Sequence, residues 1–245
     1  MAKALAVLLA IGVVASAAEL KVLMIGAINP GFSNIAKQYK VDAGHNVTMQ
    51  VDTAPGLTKR IAAGETADIL IAPDNVIEDA VKQGKAVAIT RVAAVAKVGI
   101  GVAVPAGGKA PNVATVDALK QALLSAESIV YNQGSSGIYI DKMLEQMGIA
   151  EQLKTKTVRF ANAGQVVQHV MAAKNNEIGF APLPEIFSQD PKRLQSAGPL
   201  PAELQNYTSY SAVVMTGGSA DVAKDFIRYL TAPAAKKTFA AAGVD

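Results

Sequence analysis

Four short segments of small and polar residues carry the chemistry of this chain: residues 26–29 (GAIN), 53–56 (TAPG), 132–137 (NQGSSG) and 161–164 (ANAG). Each follows an apolar run with strand character and precedes a stretch with helical periodicity. None contains a charged residue. The first amides of a helix have no intrahelical acceptor, and the helix dipole is positive at that end, so a helix start can hold an anion without any cation. The candidate ligand contacts are Ala27, Ile28 and Asn29 in the first segment and Thr53 and Ala54 in the second. Ser135, Ser136 and Gly137 follow in the third, and Asn162 and Ala163 in the fourth. Taken singly, each segment also reads as an ordinary helix cap. The signal is that four of them occupy equivalent strand-to-helix positions.

Other chemistries find little support. Residues 134–137 (GSSG) lack the G-x-S-x-G spacing of a nucleophile turn. The two histidines, His45 in a polar loop and His169 within a helical stretch, are isolated from each other and, with no thiolate to join them, make a poor catalytic base or metal site. The chain contains no cysteine, which excludes disulfides and thiolate metal sites. Gly99 and Gly101 lie in a strand pattern and do not open a helix, so they form no dinucleotide fingerprint. No catalytic set, metal or cofactor is expected.

The elements that must place these turns alternate. Strands are predicted over residues 20–25, 46–51 and 68–72, and helices over 30–39, 55–63 and 75–83. This β-α-β-α-β-α order implies a parallel sheet with helices on both faces. A strand over 98–105 reads as a crossing to a second lobe, where the pattern restarts. Helices are predicted there over 115–125, 137–147 and 164–173, and strands over 128–131, 157–160 and 178–181. A strand over 213–215 and helices from 221 and 233 return to the first lobe. The fold class is therefore α/β in two lobes, the first over 19–103 plus 209–245 and the second over 104–208. In such sheets the ligand crevice lies at the carboxyl ends of the strands, where all four turns fall.

Residues 1–18 read as an export signal: Lys3, an apolar run over 4–15, then small residues offering cleavage near Ala17 or Ala18. A periplasmic location follows. The remaining 227 residues carry 22 basic against 20 acidic side chains with no basic stripe, so nucleic acid is not an expected partner. There is no tryptophan for stacking on sugars. Nothing signals an oligomer, and a monomer is expected.

Three segments carry a family resemblance: residues 57–74 (LTKRIAAGETADILIAPD), residues 137–149 (GIYIDKMLEQMGI) and residues 223–233 (AKDFIRYLTAP). They resemble the molybdate-binding proteins of ABC importers, within the class II periplasmic binding proteins. The resemblance spans nearly the whole chain after the export signal. It implies the type II two-lobed fold, a small anion (a molybdate- or tungstate-like oxyanion, or a small organic carboxylate) held between the lobes, and a membrane permease as partner. It implies hinges near residues 103–107 and 207–212. The family offers a serine where Ala27 or Ile28 stands, a second serine where Ala54 stands, and a tyrosine where Pro182 stands. Each lost charge-assisted hydrogen bond is worth about 1.5–3 kcal/mol. The expected ligand is therefore a related anion, such as an organic carboxylate. Molybdate stays a candidate only if Asn29, Thr53 or Ser135 replaces the lost bonds, and Arg91 or Arg159 is the candidate guanidinium clamp for a carboxylate. The alternatives are an enzyme or a ligand-sensor domain on the same two-lobed fold.

Overall fold

The computed structural model describes residues 17–173 and 176–245. Most of the expected export signal, residues 1–16, lies outside them.

Two five-stranded sheets form the two lobes. In the first, β1 (Glu19–Ile25), β2 (Asn46–Asp52) and β3 (Ile69–Pro73) alternate with α1 (Asn29–Ala43), α2 (Ala54–Ala62) and α3 (Asp74–Lys82). β4 (Val92–Val98) ends the first pass through this lobe. The second lobe holds β5 (Ile100–Pro105), α4 (Val116–Ser125), β6 (Ser128–Asn132), α5 (Ser135–Gln146), α6 (Ala150–Leu153), β7 (Thr157–Phe160) and α7 (Ala163–Ala172). It closes with β8 (Glu177–Pro182), α8 (Leu183–Phe187) and β9 (Leu194–Pro199). The chain then returns as β10 (Thr208–Val214), α9 (Ala220–Thr231) and α10 (Pro233–Ala241).

The sheet orders are β2-β1-β3-β10-β4 and β7-β6-β8-β5-β9, the same arrangement twice. In each, only the fourth strand runs against the others: β10 is antiparallel to β3 and β4, and β5 is antiparallel to β8 and β9. The reversed strand is in each case the one that has just crossed from the other lobe. The sheets are thus mostly parallel, as the alternating sequence pattern implies.

The expected single strand over 98–105 is two strands in different sheets. Lys97 and Val98 pair with β10, whereas Ile100 pairs with β8. The crossing is Gly99, so the boundary expected between residues 103 and 104 falls inside β5. Gly99 is tightly surrounded: a Cβ there would lie 3.1 Å from the Tyr207 ring and 3.3 Å from Gln205. Gln205 clamps the crossing with its amide, accepting from the Ile100 N–H (2.9 Å) and donating to the Ile100 carbonyl (3.0 Å). Residues 200–207 form the return, so the two connections lie side by side rather than near 103–107.

Each sheet is covered on both faces. Phe32, Ile35 and Tyr39 of α1 pack with Phe226 and Leu230 of α9 against one face of the first sheet, while Leu57, Ile61 and Ile77 cover the other. In the second lobe Leu119, Ile140 and Met143 cover one face and Val167 and Val170 the other. Near-continuous apolar strands such as ILIA in β3 are what burial on both faces requires.

A charged cluster fastens α2 to the first sheet. Arg60 forks onto Glu65 (Nε–Oε2 2.6 Å, Nη2–Oε1 2.7 Å), and Lys21 reaches the same carboxylate at 3.2 Å. The hydrogen bonds from Arg60 hold the Glu65 carboxyl down at about 2. A depressed carboxyl stabilises the fold above its unfolded value of about 4.3, and the contribution fades as pH falls towards 2. Glu65→Gln is therefore expected to lower unfolding free energy by about 1 kcal/mol at neutral pH and by progressively less below about pH 4. Urea titrations of both proteins across that range check it.

Candidate functional site

The two sheets present the carboxyl ends of their parallel strands to one shared cavity of about 560 Å³. Four strand-to-helix turns, two from each lobe, line it. They are the four segments singled out in the sequence, and the reason is topological. β1, β2, β6 and β7 all end at the cleft, and each hands its chain directly to a helix that starts there.

The first turn is a short 3-10 segment, Gly26–Ile28, leading into α1. Ala27 and Asn29 line the cavity. The Asn29 side-chain oxygen accepts from the Ser33 hydroxyl at 3.2 Å, which leaves its NH₂ group as a donor. Ile28 does not face the cleft: it is fully buried in the core of the first lobe. Its expected place in the site is corrected, because an apolar side chain between sheet and helix gains more from packing than from an aqueous cleft.

The second turn carries Thr53 and Ala54 on the cavity wall. Thr53 caps α2 by accepting from the Gly56 N–H at 3.3 Å. Asp52 accepts from the Thr53 N–H at 2.7 Å, and its other oxygen lies 3.6 Å from Arg60. That carboxylate is thus already engaged.

The third turn is organised by Asn132, which is almost completely buried. Its side-chain oxygen accepts from the Gly134 N–H at 2.6 Å, and its NH₂ donates to the Ser136 hydroxyl at 2.9 Å. Among the described residues no side chain caps α5, whose N-cap is Gly134. Its first amides therefore open onto the cavity beside Ser135 and Ser136. Gly137 is buried beneath this turn rather than on the cavity wall, which corrects its expected place in the site. It is glycine because the Asn132 carbonyl approaches too closely for a side chain.

In the fourth turn Asn162 caps α7, accepting from the Gln165 N–H at 3.0 Å, and the Gln165 side chain accepts from the Ala161 N–H at 3.1 Å. Asn162, Ala163 and Gly164 line the cavity, and Pro182 closes it from the end of β8.

Neither expected arginine reaches this space. Arg91 is held by Asp74 at 2.8 Å and Glu78 at 3.7 Å. Arg159 is held by Asp141 at 3.0 Å and lies over the Tyr131 ring. A guanidinium already paired with a carboxylate gives up that pair to serve a ligand, so the clamp expectation is corrected. The histidines are also engaged away from the cavity: His45 accepts from the Ala18 N–H at 3.0 Å, and His169 lies 3.2 Å from Glu177.

Several lining residues escaped the sequence reading: Lys59, Tyr210 and Glu185 above all. Lys59 is an exposed cation at the rim and follows the cap of α2 by two turns. Tyr210 is buried on β10, and burial pushes its hydroxyl up to about 12, so it stays a neutral donor. Glu185 lies on α8 and makes no side-chain hydrogen bond or ion pair among the described residues.

The sequence of residues 20–245 matches the family of bacterial extracellular solute-binding proteins. The chain belongs to that family. Two sequence relatives of this solute-binding protein carry different names. One, from Pseudomonas sp, is named aconitate isomerase and is 26% identical over 234 residues, covering 92% of this chain and 87% of its own. The other is the molybdate-binding protein ModA of Azotobacter vinelandii, 28% identical over 233 residues and covering 94% and 90%. Among solved structures, the periplasmic molybdate-binding protein of Azotobacter vinelandii superimposes with a TM-score of 0.77 at 19% identity, over 92% of this chain and 98% of that one. The two-lobed fold of this solute-binding protein is thus shared with it.

Proposed function

We propose that this solute-binding protein works in the periplasm as the capture component of an ABC importer, and that it holds a small anion between its lobes. The observation that carries the proposal is the convergence of four uncharged helix-leading turns on one cavity. Amides at the starts of α2, α5 and α7, with Asn29, Thr53, Ser135, Ser136 and Asn162, surround that space with donors. Such preset dipoles attract negative charge and need little rearrangement to bind it. Lys59 adds an attractive field at the rim. Lobe closure about Gly99 and residues 200–207 would then offer the permease a surface that the open form lacks.

The relatives support an anion without agreeing on one. ModA is named for molybdate, and aconitate isomerase for an organic tricarboxylate. The cavity of about 560 Å³ lies within the usual range of small-ligand sites and leaves room for an organic anion as well as for an oxyanion. Calorimetry against molybdate, tungstate, sulfate and small carboxylates tests the proposal. Binding of at least one anion with stoichiometry near one is expected, and absence of heat and of thermal stabilisation for all of them contradicts it.

A second reading, an isomerase on the same fold, rests on the Pseudomonas relative. It requires conversion of cis- to trans-aconitate, visible by proton NMR. The binding proposal predicts no conversion.

A further inference from the structure

The cavity assembled from uncharged donors contains one carboxylate that no cation among the described residues neutralises. Glu185 lines it from the first turn of α8. A Cβ placed on Gly164 would stand 3.5 Å from the Glu185 Oε1. The carboxyl therefore lies close to Gly164, in the first turn of α7. An anionic oxygen accepting hydrogen bonds from the first amides of α7 would stand near that carboxyl.

No cation among the described residues lies within ion-pair distance of the Glu185 carboxyl. α8 packs against α7, β5, β8, β9, α1 and the 3-10 turn over Gly26–Ile28. Of these, α7 and β8 bring His169 and Glu177, which face each other at 3.2 Å. α1 brings Lys37, Lys40 and Asp42, and β5, β9 and the 3-10 turn bring no charged residue. Around the cavity stand Asp52, paired with Arg60, and Lys59. Burial pushes the Glu185 carboxyl above its ordinary range, with no charged neighbour contributing.

A fully deprotonated tetrahedral oxyanion has acceptors only. Beside Glu185 it would meet either like-charge repulsion or the cost of protonating the carboxyl. An organic acid that carries a hydroxyl or a protonated carboxyl meets neither, because it can donate to Glu185 while its anionic end takes the helix amides. We propose that Glu185 determines specificity at this site, disfavouring acceptor-only oxyanions such as molybdate and sulfate and selecting an organic acid that presents a hydrogen-bond donor. This rests on the anion-binding reading above and narrows its ligand class.

Calorimetry on wild type and Glu185→Gln tests it, with sulfate and molybdate at about pH 8, sulfate again at about pH 5, and the pair malate and succinate, which differ by one hydroxyl. Glutamine keeps the shape and removes the charge. The variant is expected to bind sulfate and molybdate roughly 10–100-fold more tightly than wild type at the higher pH. Wild-type affinity for sulfate is expected to rise as pH falls through the raised carboxyl pKa, with no such rise in the variant. Wild type is expected to prefer malate to succinate. Equal oxyanion affinities in the two proteins, with no pH dependence, overturn the proposal while leaving the anion-binding reading intact. No binding of any anion by either protein overturns both.

Discussion

Asn132→Asp is expected to keep the fold and to lose anion binding by at least about 100-fold. The side chain is almost completely buried, and its oxygen takes the Gly134 N–H at 2.6 Å. Aspartate has the same shape and keeps that bond. The Ser136 hydroxyl, which now accepts from Asn132 at 2.9 Å, can turn and donate instead. The cost of burying the carboxylate is offset by charge-assisted bonds from the Gly134 N–H and the Ser136 hydroxyl and by the start of α5, worth about 0.3–1 kcal/mol, and the melting temperature without ligand checks that the fold is kept. The ligand meets the opposite situation, because a fixed negative charge would stand beneath the turn whose amides and hydroxyls are to receive its own charge. Like-charge juxtaposition in a desolvated site costs several kcal/mol, and about 2.7 kcal/mol is already 100-fold. Calorimetry and a ligand-dependent melting shift read the result. An Asn132→Asp variant that binds its anion as well as wild type would remove α5 from the site.

Gly137→Ala is expected to destabilise the protein by about 3 kcal/mol or more. The glycine has no left-handed backbone to defend; the demand is one of approach. A methyl group there would run into the Asn132 carbonyl, with the carbonyl carbon 2.6 Å away. Both the end of β6 and the first turn of α5 are backbone, so neither can yield by a rotamer change. Relief requires moving the helix off the sheet, and large losses of this kind come from such steric conflicts in packed regions. Gly164→Ala is the control: its methyl would lie 3.4 Å from the Asn162 side chain and 3.5 Å from Glu185, contacts that can relax. Urea unfolding of the three proteins should give wild type and Gly164→Ala close together and Gly137→Ala far below.

The parts of the site that were legible in sequence are those built locally. Thr53 and Asn162 are cap residues standing between a strand and a helix, and their chemistry is set within three residues of the chain. The repeated β-α order then brings all four turns to one end of two sheets. What stayed hidden depends on contacts made at long range. Glu185 follows Leu183 and Pro184, which carry no polar cap signal, and it meets the cavity only because α8 folds back beside α7. Tyr210 lies on the reversed strand β10, whose position beside β3 the local pattern does not encode. Arg91 and Arg159 looked available because their partners, Asp74 and Asp141, lie 17 and 18 positions earlier in the chain. Among the elements, β4 (VAAVAKV) is alanine-rich and β9 (LQSAGP) contains glycine and a terminal proline. Neither presents a strong strand pattern, and both take their conformation from neighbours in the sheet.

Capture of negative charge by peptide dipoles from both lobes is the central proposal for this site. The most direct measurement is the crystal structure of the protein with the anion that calorimetry finds to bind most tightly. Density for that anion is expected between the lobes, with oxygens within hydrogen-bond distance, about 2.7–3.2 Å, of amides at the starts of α5 and α7 and of donors in the first-lobe turns. An anion bound elsewhere, or held by Arg91 or Arg159 freed from their carboxylates, would contradict it.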